Sequence, residues 1–169
     1  MKTIVLGGGC FWCVEAVFQR VKGIEQVVSG YAGGNLKDPT YQNHGSHAEV
    51  VQLTYDPDII PLEKIFEMFF YAHDPTTLNR QGNDIGTQYR SIILCNNYLE
   101  SNIAHTVIDG VKDLWHDPIV TEVGLIETFY EAEDYHQDYY NSNQNAGYCQ
   151  VIINPKVAKF EQKFEKYLK

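Results

Sequence analysis

No apolar run in these 169 residues approaches the ~20 that a helix needs to cross a bilayer, so a membrane-spanning protein is not expected. Basic residues are scarce. The 13 Lys and Arg face 22 Asp and Glu, for a formal net charge of −9, which argues against a duplex-binding protein with its basic patch. Cysteine occurs only four times, at Cys10, Cys13, Cys95 and Cys149. Two structural disulfides are conceivable, but catalytic or buried thiols suit a cytoplasmic protein of this size better. Zinc would need a second Cys or His pair at ligand spacing. His44 and His47 sit in a glycine-containing loop with no second cysteine pair, so no metal is expected. The segment Met1–Leu6 is too short for a signal peptide and is interrupted at once by glycines, which reads as a mature cytoplasmic protein. No internal repeat, low-complexity tract or linker is visible.

What remains is a globular composition, 44% hydrophobic and 21% charged, rich in Tyr (12) and Phe (8). The length suits one catalytic domain, 1–169, whose C-terminal segment from about 140 wraps the core. Residues 3–7 predict a short buried strand. From Cys10 a helix follows, with Val14, Val17, Phe18 and Val21 as its apolar stripe and Gly23 as its stop. Strand patterns recur near 24–30, 48–55, 89–94 and 121–129. A second helical stripe runs through Leu62, Ile65, Phe66, Phe69 and Phe70, with Pro61 at the first helical position. A third helix is predicted over 97–115. A long loop from His73 to Gln88 has the size of a functional one. The order predicts an α+β fold: a ferredoxin-like two-layer sandwich, mainly antiparallel sheet with helices packed on it, plus a coil-rich C-terminal tail.

The run Gly7-Gly8-Gly9-Cys10-Phe11-Trp12-Cys13 concentrates the chemistry. A thiol at a helix start faces free N–H groups and the positive end of the dipole, so Cys10 is expected to ionise readily as a nucleophile. Phe11 and Trp12 offer an aromatic surface to a small apolar group. Cys13 has the spacing of a redox partner, yet it is equally a small core residue beside Val14 and Val17. Cys95 ends an apolar run and reads as a core thiol. Cys149 follows a turn-rich stretch, and a mobile thiol there suits a resolving role.

Glu49 opens a strand with apolar neighbours. Half-buried, it would stay protonated and serve as an acid; exposed at a strand end, it would be an ordinary carboxylate. Tyr41 and Tyr89 lie in segments rich in hydroxyls and carboxylates, although any single tyrosine also packs amphipathically. The block Phe129 to Tyr140 has helical spacing and reads as mainly structural.

With these residues assembled, the chain resembles the A-class peptide methionine sulfoxide reductases. The resemblance rests on Gly9-Cys10-Phe11-Trp12 with Glu15, Gly30-Tyr31-Ala32-Gly33-Gly34, His47-Ala48-Glu49, His73-Asp74-Pro75-Thr76, Asn79 through Ser91, and Phe129-Tyr130 to His136-Gln137, in family order. It implies that Cys10 attacks the sulfur of methionine S-sulfoxide, free or in proteins, in a repair reaction. Phe11 and Trp12 would hold the substrate methyl group. Glu49 would protonate the sulfoxide oxygen, Tyr41 and Tyr89 would donate to it, and Asp84 would hold the substrate amide. A sulfenic acid on Cys10 would condense with a second thiol, Cys149 by preference or Cys13, and thioredoxin or a dithiol would reduce the disulfide. No cofactor is implied, and a monomer is compatible. The tail after Cys149 lacks the further cysteine of some relatives, so no third relay thiol is expected there.

Three rival readings remain. Cys10 and Cys13 alone suit a general disulfide oxidoreductase, and an aromatic pocket suits a non-catalytic binder of oxidised methionine. A cysteine hydrolase would use His47, His136 and Asp84 around Cys10 but leaves the tyrosines unexplained.

Overall fold

The computed structural model describes residues 1–169. Along the chain lie β1 (Lys2–Gly8), α1 (Phe11–Phe18), β2 (Ile24–Ala32), β3 (Ala48–Tyr55), α2 (Leu62–Ala72), β4 (Arg80–Gln81) and β5 (Asp84–Ile85). Then follow β6 (Ser91–Cys95), α3 (Tyr98–Val111), β7 (Glu122–Leu125), β8 (Tyr130–Glu131), α4 (Tyr139–Ser142) and α5 (Asn154–Lys163). One six-stranded sheet has the order β7-β6-β1-β3-β2-β8, and β4 with β5 forms a separate small hairpin. All its pairings are antiparallel except β6 with β7, which α3 connects as the crossover that a parallel pair needs. The central β6-β1-β3-β2 order is the ferredoxin-like sandwich expected from the sequence, with one strand added at each edge.

Side chains alternate across β1. Ile4 and Leu6 enter the main core with α1 and α2, whereas Val5 joins Ala32, Ala48, Val50, Ile92 and Leu94 on the opposite face. Ile126 and Phe129 cover that second face. Helix α1 has eight residues and α2 eleven, too short to persist alone, so burial holds them. Every α1 residue but Trp12 is buried. Ile65, Phe66, Phe69 and Phe70 of α2 are fully buried, each contributing about 1.5–3 kcal/mol.

The structure departs from the sequence reading in five places. The strand read over 89–94 begins only at Ser91, and Tyr89 ends a 3-10 turn over Thr87–Tyr89. Pro61 stands at the N-cap of α2 with extended backbone, one residue outside the helix. Helix α3 ends at Val111 and gives way to a 3-10 turn over Lys112–Leu114. Strand β7 stops at Leu125, where the chain turns to cross the back of the sheet. Residues 129–140 are not a helix but β8, a 3-10 turn at Asp134–His136 and the start of α4, because other segments take their hydrogen bonds. No helix is long and apolar enough to cross a membrane.

The antiparallel pairing gathers particular residues at one end of the sheet. β1 and β2 finish there while β3 and β6 begin: Gly8 pairs with Ser91, and Tyr31 pairs with Glu49 on one side and Tyr130 on the other. Cys10 lies two residues beyond β1, and Tyr89 two residues before β6.

Candidate active site

Cys10 is the N-cap of α1, with no side-chain cap of its own; its carbonyl accepts from the Cys13 N–H at 3.1 Å. Its approach depends on Gly9, whose φ of +95° is one that L side chains rarely adopt. A Cβ there would also lie 2.7 Å from Gln81. Gln81 cannot withdraw freely, since its amide accepts from the Asp74 N–H and donates to the Asp74 carbonyl, both at 2.9 Å. The glycine, the Gln81 clamp and the β4–β5 hairpin thus set where the thiol sits.

Glu49 is 2% exposed, and its Oε1 accepts from the Phe11 N–H at 3.2 Å. Burial pushes its carboxyl up to about 8, with the Phe11 N–H pulling weakly the other way and Asp84 adding to the rise. It is therefore a protonated acid at neutral pH rather than a strand-end carboxylate. Tyr41 and Tyr89 face the same space. Burial first, and then the charges of Glu49, Asp84 and Cys10, hold both phenols above the ordinary tyrosine range, so they are donors. Tyr41 lies in the β2–β3 connection, where its N–H donates to Glu133 Oε2 at 3.1 Å.

The expectation for the Cys10 thiol is corrected. Burial raises it well above the usual thiol range, a hydrogen bond to Cys13 and the proximity of Glu49 raise it further, and the Trp12 N–H opposes only in part. The helix start supplies N–H groups, but exclusion of water outweighs them. Its neighbour behaves oppositely. Cys13 is brought down to about 7, first by the Cys10 hydrogen bond and then by Lys156 and Tyr148, against the cost of burial.

An aromatic wall stands beside the thiols. Phe11 is fully buried against Tyr31 and His136, with ring centroids 5.7 and 4.9 Å away. Trp12 stacks face to face on Tyr139 at 3.7 Å and donates its Nε1–H to His136 Nδ1 at 3.1 Å. That bond makes Nδ1 the acceptor and leaves the proton on Nε2. Asp84, on β5, accepts from the Tyr148 hydroxyl at 3.1 Å.

The C-terminal residues reach the site through side chains bonded to backbone. Gln137 accepts from the Ser29 N–H and donates to the Ser29 and Ala132 carbonyls. Glu15 accepts from the N–H groups of Asp138 and Tyr139, and burial lifts it to about 7. Cys149, expected on a mobile segment, is instead fully buried at the start of a π-helical stretch, Cys149–Ile153, that runs into α5. The apolar side chains of Ile153, Val157 and Phe160 tie that stretch to the main core. Cys95 is a fully buried core thiol, as its setting in β6 suggests.

All four cysteines are free, and no group of three or more His, Cys, Asp or Glu side chains could hold a metal ion. The hydrolase arrangement is not assembled: both ring nitrogens of His47 are taken, by the Gly34 N–H and the Leu36 carbonyl, and His136 has Nδ1 on the Trp12 indole and Nε2 buried without a partner, so neither histidine bonds Cys10. Sequence reasoning passed over Lys156, which approaches Cys13 from α5, and nothing local marks a pair so far apart in the chain.

A buried thiol, a protonated carboxyl, two phenols and an aromatic wall suit reduction at a weakly electrophilic centre bearing an oxygen and a small apolar group. The family model described as peptide methionine sulfoxide reductase matches residues 2–168. The chain belongs to this family. The peptide methionine sulfoxide reductase MsrA of Paenarthrobacter aurescens is 51% identical over 172 residues, covering 99% of each chain. Among solved structures, reduced Mxr1 from Saccharomyces cerevisiae superposes with a TM-score of 0.83 at 34% identity, covering 88% of each chain. Mxr1 in complex with Trx2 matches with a TM-score of 0.61 at 26% identity, over 82% of this chain and 84% of that one. The peptide methionine sulfoxide reductase fold and activity, reduction of methionine sulfoxide, are those of this chain.

Proposed function

We propose that the chain reduces the S-epimer of methionine sulfoxide, free or in proteins, and that Cys10, Glu49, Tyr41 and Tyr89 carry the chemistry. The observation that supports this most is the Cys10–Glu49 pair. Both groups are held above their ordinary ranges by burial, so at neutral pH the pair keeps one proton more than an exposed thiol and carboxylate would. A sulfoxide accepts a nucleophile poorly until its oxygen takes a proton, and the pair stores that proton. The Cys10 sulfur attacks the substrate sulfur while the oxygen is protonated from Glu49 and hydrogen-bonded by the two phenols. The hydroxyl then passes from the substrate sulfur to the Cys10 sulfur while the bond between the two sulfurs breaks, which releases methionine and leaves a sulfenic acid on Cys10; the proton given up by the Cys10 thiol returns Glu49 to its acid form. Phe11 and Trp12 would hold the substrate methyl, and Asp84 its backbone amide.

A second thiol, Cys13 or Cys149, then condenses with the sulfenic acid, and water leaves. Thioredoxin is the proposed reductant of the disulfide, supported by the Mxr1 relative that was solved with Trx2. The test is turnover of the separate S- and R-epimers of a methionine sulfoxide peptide, with thioredoxin or dithiothreitol as reductant. Reduction of the S-epimer only, abolished in Cys10→Ser, is the expected result. Reduction of both epimers, or full activity in Cys10→Ser, sinks the assignment.

A further inference from the structure

Cys13 is not an ordinary core thiol. Lys156 Nζ lies 3.9 Å from its sulfur, and the Tyr148 hydroxyl lies at the same distance from another side. Tyr148 is held in place by its bond to Asp84. Lys156 is half-buried on the first turn of α5, whose start is set by Pro155. A cation against a buried sulfur compensates the cost of burying a thiolate, which is the nucleophilic form. Cys10 and Cys13 bracket the first turn of α1, where the Cys13 N–H donates to the Cys10 carbonyl at 3.1 Å. Cys149 is buried as well, in the π-helical stretch, but the charged neighbour that acts on it is Cys13 rather than a cation.

We propose that Lys156 is a positioning residue for the redox step: its ammonium holds Cys13 ready as the thiolate that condenses first with the Cys10 sulfenic acid. This rests on the sulfenic acid reading above. The Cys13 sulfur attacks the sulfur of Cys10–SOH, the S–O bond breaks and the Cys10–Cys13 disulfide forms. The departing hydroxide takes a proton from Glu49 and leaves as water. Cys10 sulfur is reduced and Cys13 sulfur oxidised by one electron each, so no other oxidant or reductant is needed. Cys149 then stands behind Cys13 as a thiol for later exchange.

The groups facing Cys13 are Cys10 and Glu49 at the sheet end, Asp84 on β5, and Tyr148, Cys149 and Lys156 in the C-terminal segments. His73, behind the site, is held neutral by burial, which pushes it down to about 4, with Lys156 adding to the depression. The only ammonium among them is Lys156.

The experiment mixes reduced protein with one equivalent of methionine S-sulfoxide and no external reductant. Two products are followed separately: methionine released, and sulfenic acid remaining, trapped with a 1,3-dione. Peptide mapping then identifies the first disulfide. In Lys156→Met, methionine release is expected at the wild-type rate, while loss of sulfenic acid slows about tenfold at pH 7 and its pH profile moves up by about one unit. Lys156→Arg should restore both the rate and the profile. The mapped disulfide should be Cys10–Cys13, and Cys13→Ser should prolong the sulfenic acid. A wild-type rate and profile in Lys156→Met overturns the proposal. So does a Cys13→Ser protein that closes a Cys10–Cys149 disulfide as fast as the parent. Absence of methionine from the wild-type mixture would instead remove the reductase reading, and the proposal with it.

Discussion

Around Cys10, the wall built from β1, β3 and α1 is held by long ladders of hydrogen bonds and apolar burial, whereas the wall built from residues 126–149 has only the short β2–β8 ladder and is held mainly by polar side chains. In the first, register decides everything. Glu49 pairs with Tyr31 because β2 and β3 are locked along eight pairs, from Ile24–Tyr55 to Ala32–Ala48. In the second, a few polar groups decide: the Gln137 amide, the Glu15 carboxylate and the Trp12–His136 bond carry the contact. The difference separates two tasks. In the proposed reaction the sheet end fixes the reacting atoms, and the tail closes the aromatic wall around them. Changes in the first region should therefore alter chemistry or folding, and changes in the second should alter substrate fit.

The largest effect belongs to the first wall. Glu49→Gln keeps the shape and the acceptor for Phe11 N–H but removes the acid. Single-turnover methionine release should fall about 10²–10⁴-fold, with substrate affinity nearly unchanged. The same variant should alter the pH dependence of folding. With a native value near 8 against an ordinary 4.5, the native state holds a proton that the unfolded chain has lost between those limits. Wild-type stability should thus fall as pH rises through that window, with a slope of up to about 1.4 kcal/mol per pH unit. Denaturant titrations from pH 5 to 8 should show the slope shrinking in Glu49→Gln. A slope identical in both proteins would place the buried proton elsewhere.

Next is Gly9→Ala. The variant combines a left-handed backbone with a clash against the clamped Gln81, so a loss of about 3 kcal/mol is expected in equilibrium unfolding. Activity should fall as well, because relief of the clash moves either Cys10 or the β4–β5 hairpin. Stability at the wild-type level would mean that Gln81 yields without cost.

How much of this was legible in the chain follows the same division. The central strands and α1 and α2 were, because Val14, Val17 and Phe18 or Phe66, Phe69 and Phe70 recur at helical spacing and β1, β2, β3 and β6 each carry a run of buried residues. Cys10 and Glu49 were legible from their place after and within strands. The tail was not. Residues 129–140 carry helical spacing, yet Gln137 and its neighbours spend their hydrogen bonds on β2 and α1, and no local pattern encodes that. Trp12 and His136 are 124 positions apart. The polarity of the turn-rich residues before Cys149 suggested mobility, but Ile153, Val157 and Phe160 behind it bury the thiol. The state of Cys10 was misjudged because the helix dipole can be read from sequence position, whereas desolvation depends on packing across the whole site.

Gln137→Ala tests the second wall. It strips two bonds from Ser29 and one from Ala132; the Ser29 carbonyl keeps the Ala132 N–H at 2.9 Å, but the Ser29 N–H and the Ala132 carbonyl lose their Gln137 partner, at a cost of about 2 kcal/mol. Hydrogen exchange should quicken across residues 130–142 while β1 and β3 stay protected. Because the sheet end is untouched, KM for a sulfoxide peptide should rise more than kcat falls. A selective loss of kcat would mean that the tail takes part in the chemistry itself.

The smallest effect sharpens the contrast by leaving both walls alone. Helix α3 starts at an Asn97 cap whose side chain accepts from the Glu100 N–H at 2.9 Å, while Glu100 reaches back to the Asn96 N–H at 2.8 Å. Asn97→Ala removes the first of these bonds and should cost about 1 kcal/mol in equilibrium unfolding. Helix α3 serves the parallel edge of the sheet and contributes no side chain to the site. Turnover per folded molecule should therefore equal that of the parent at every substrate concentration. A change in kcat or KM here would show that the sheet end responds to strain delivered through β6, and that its rigidity comes from the whole sheet rather than from the β1–β3 register alone.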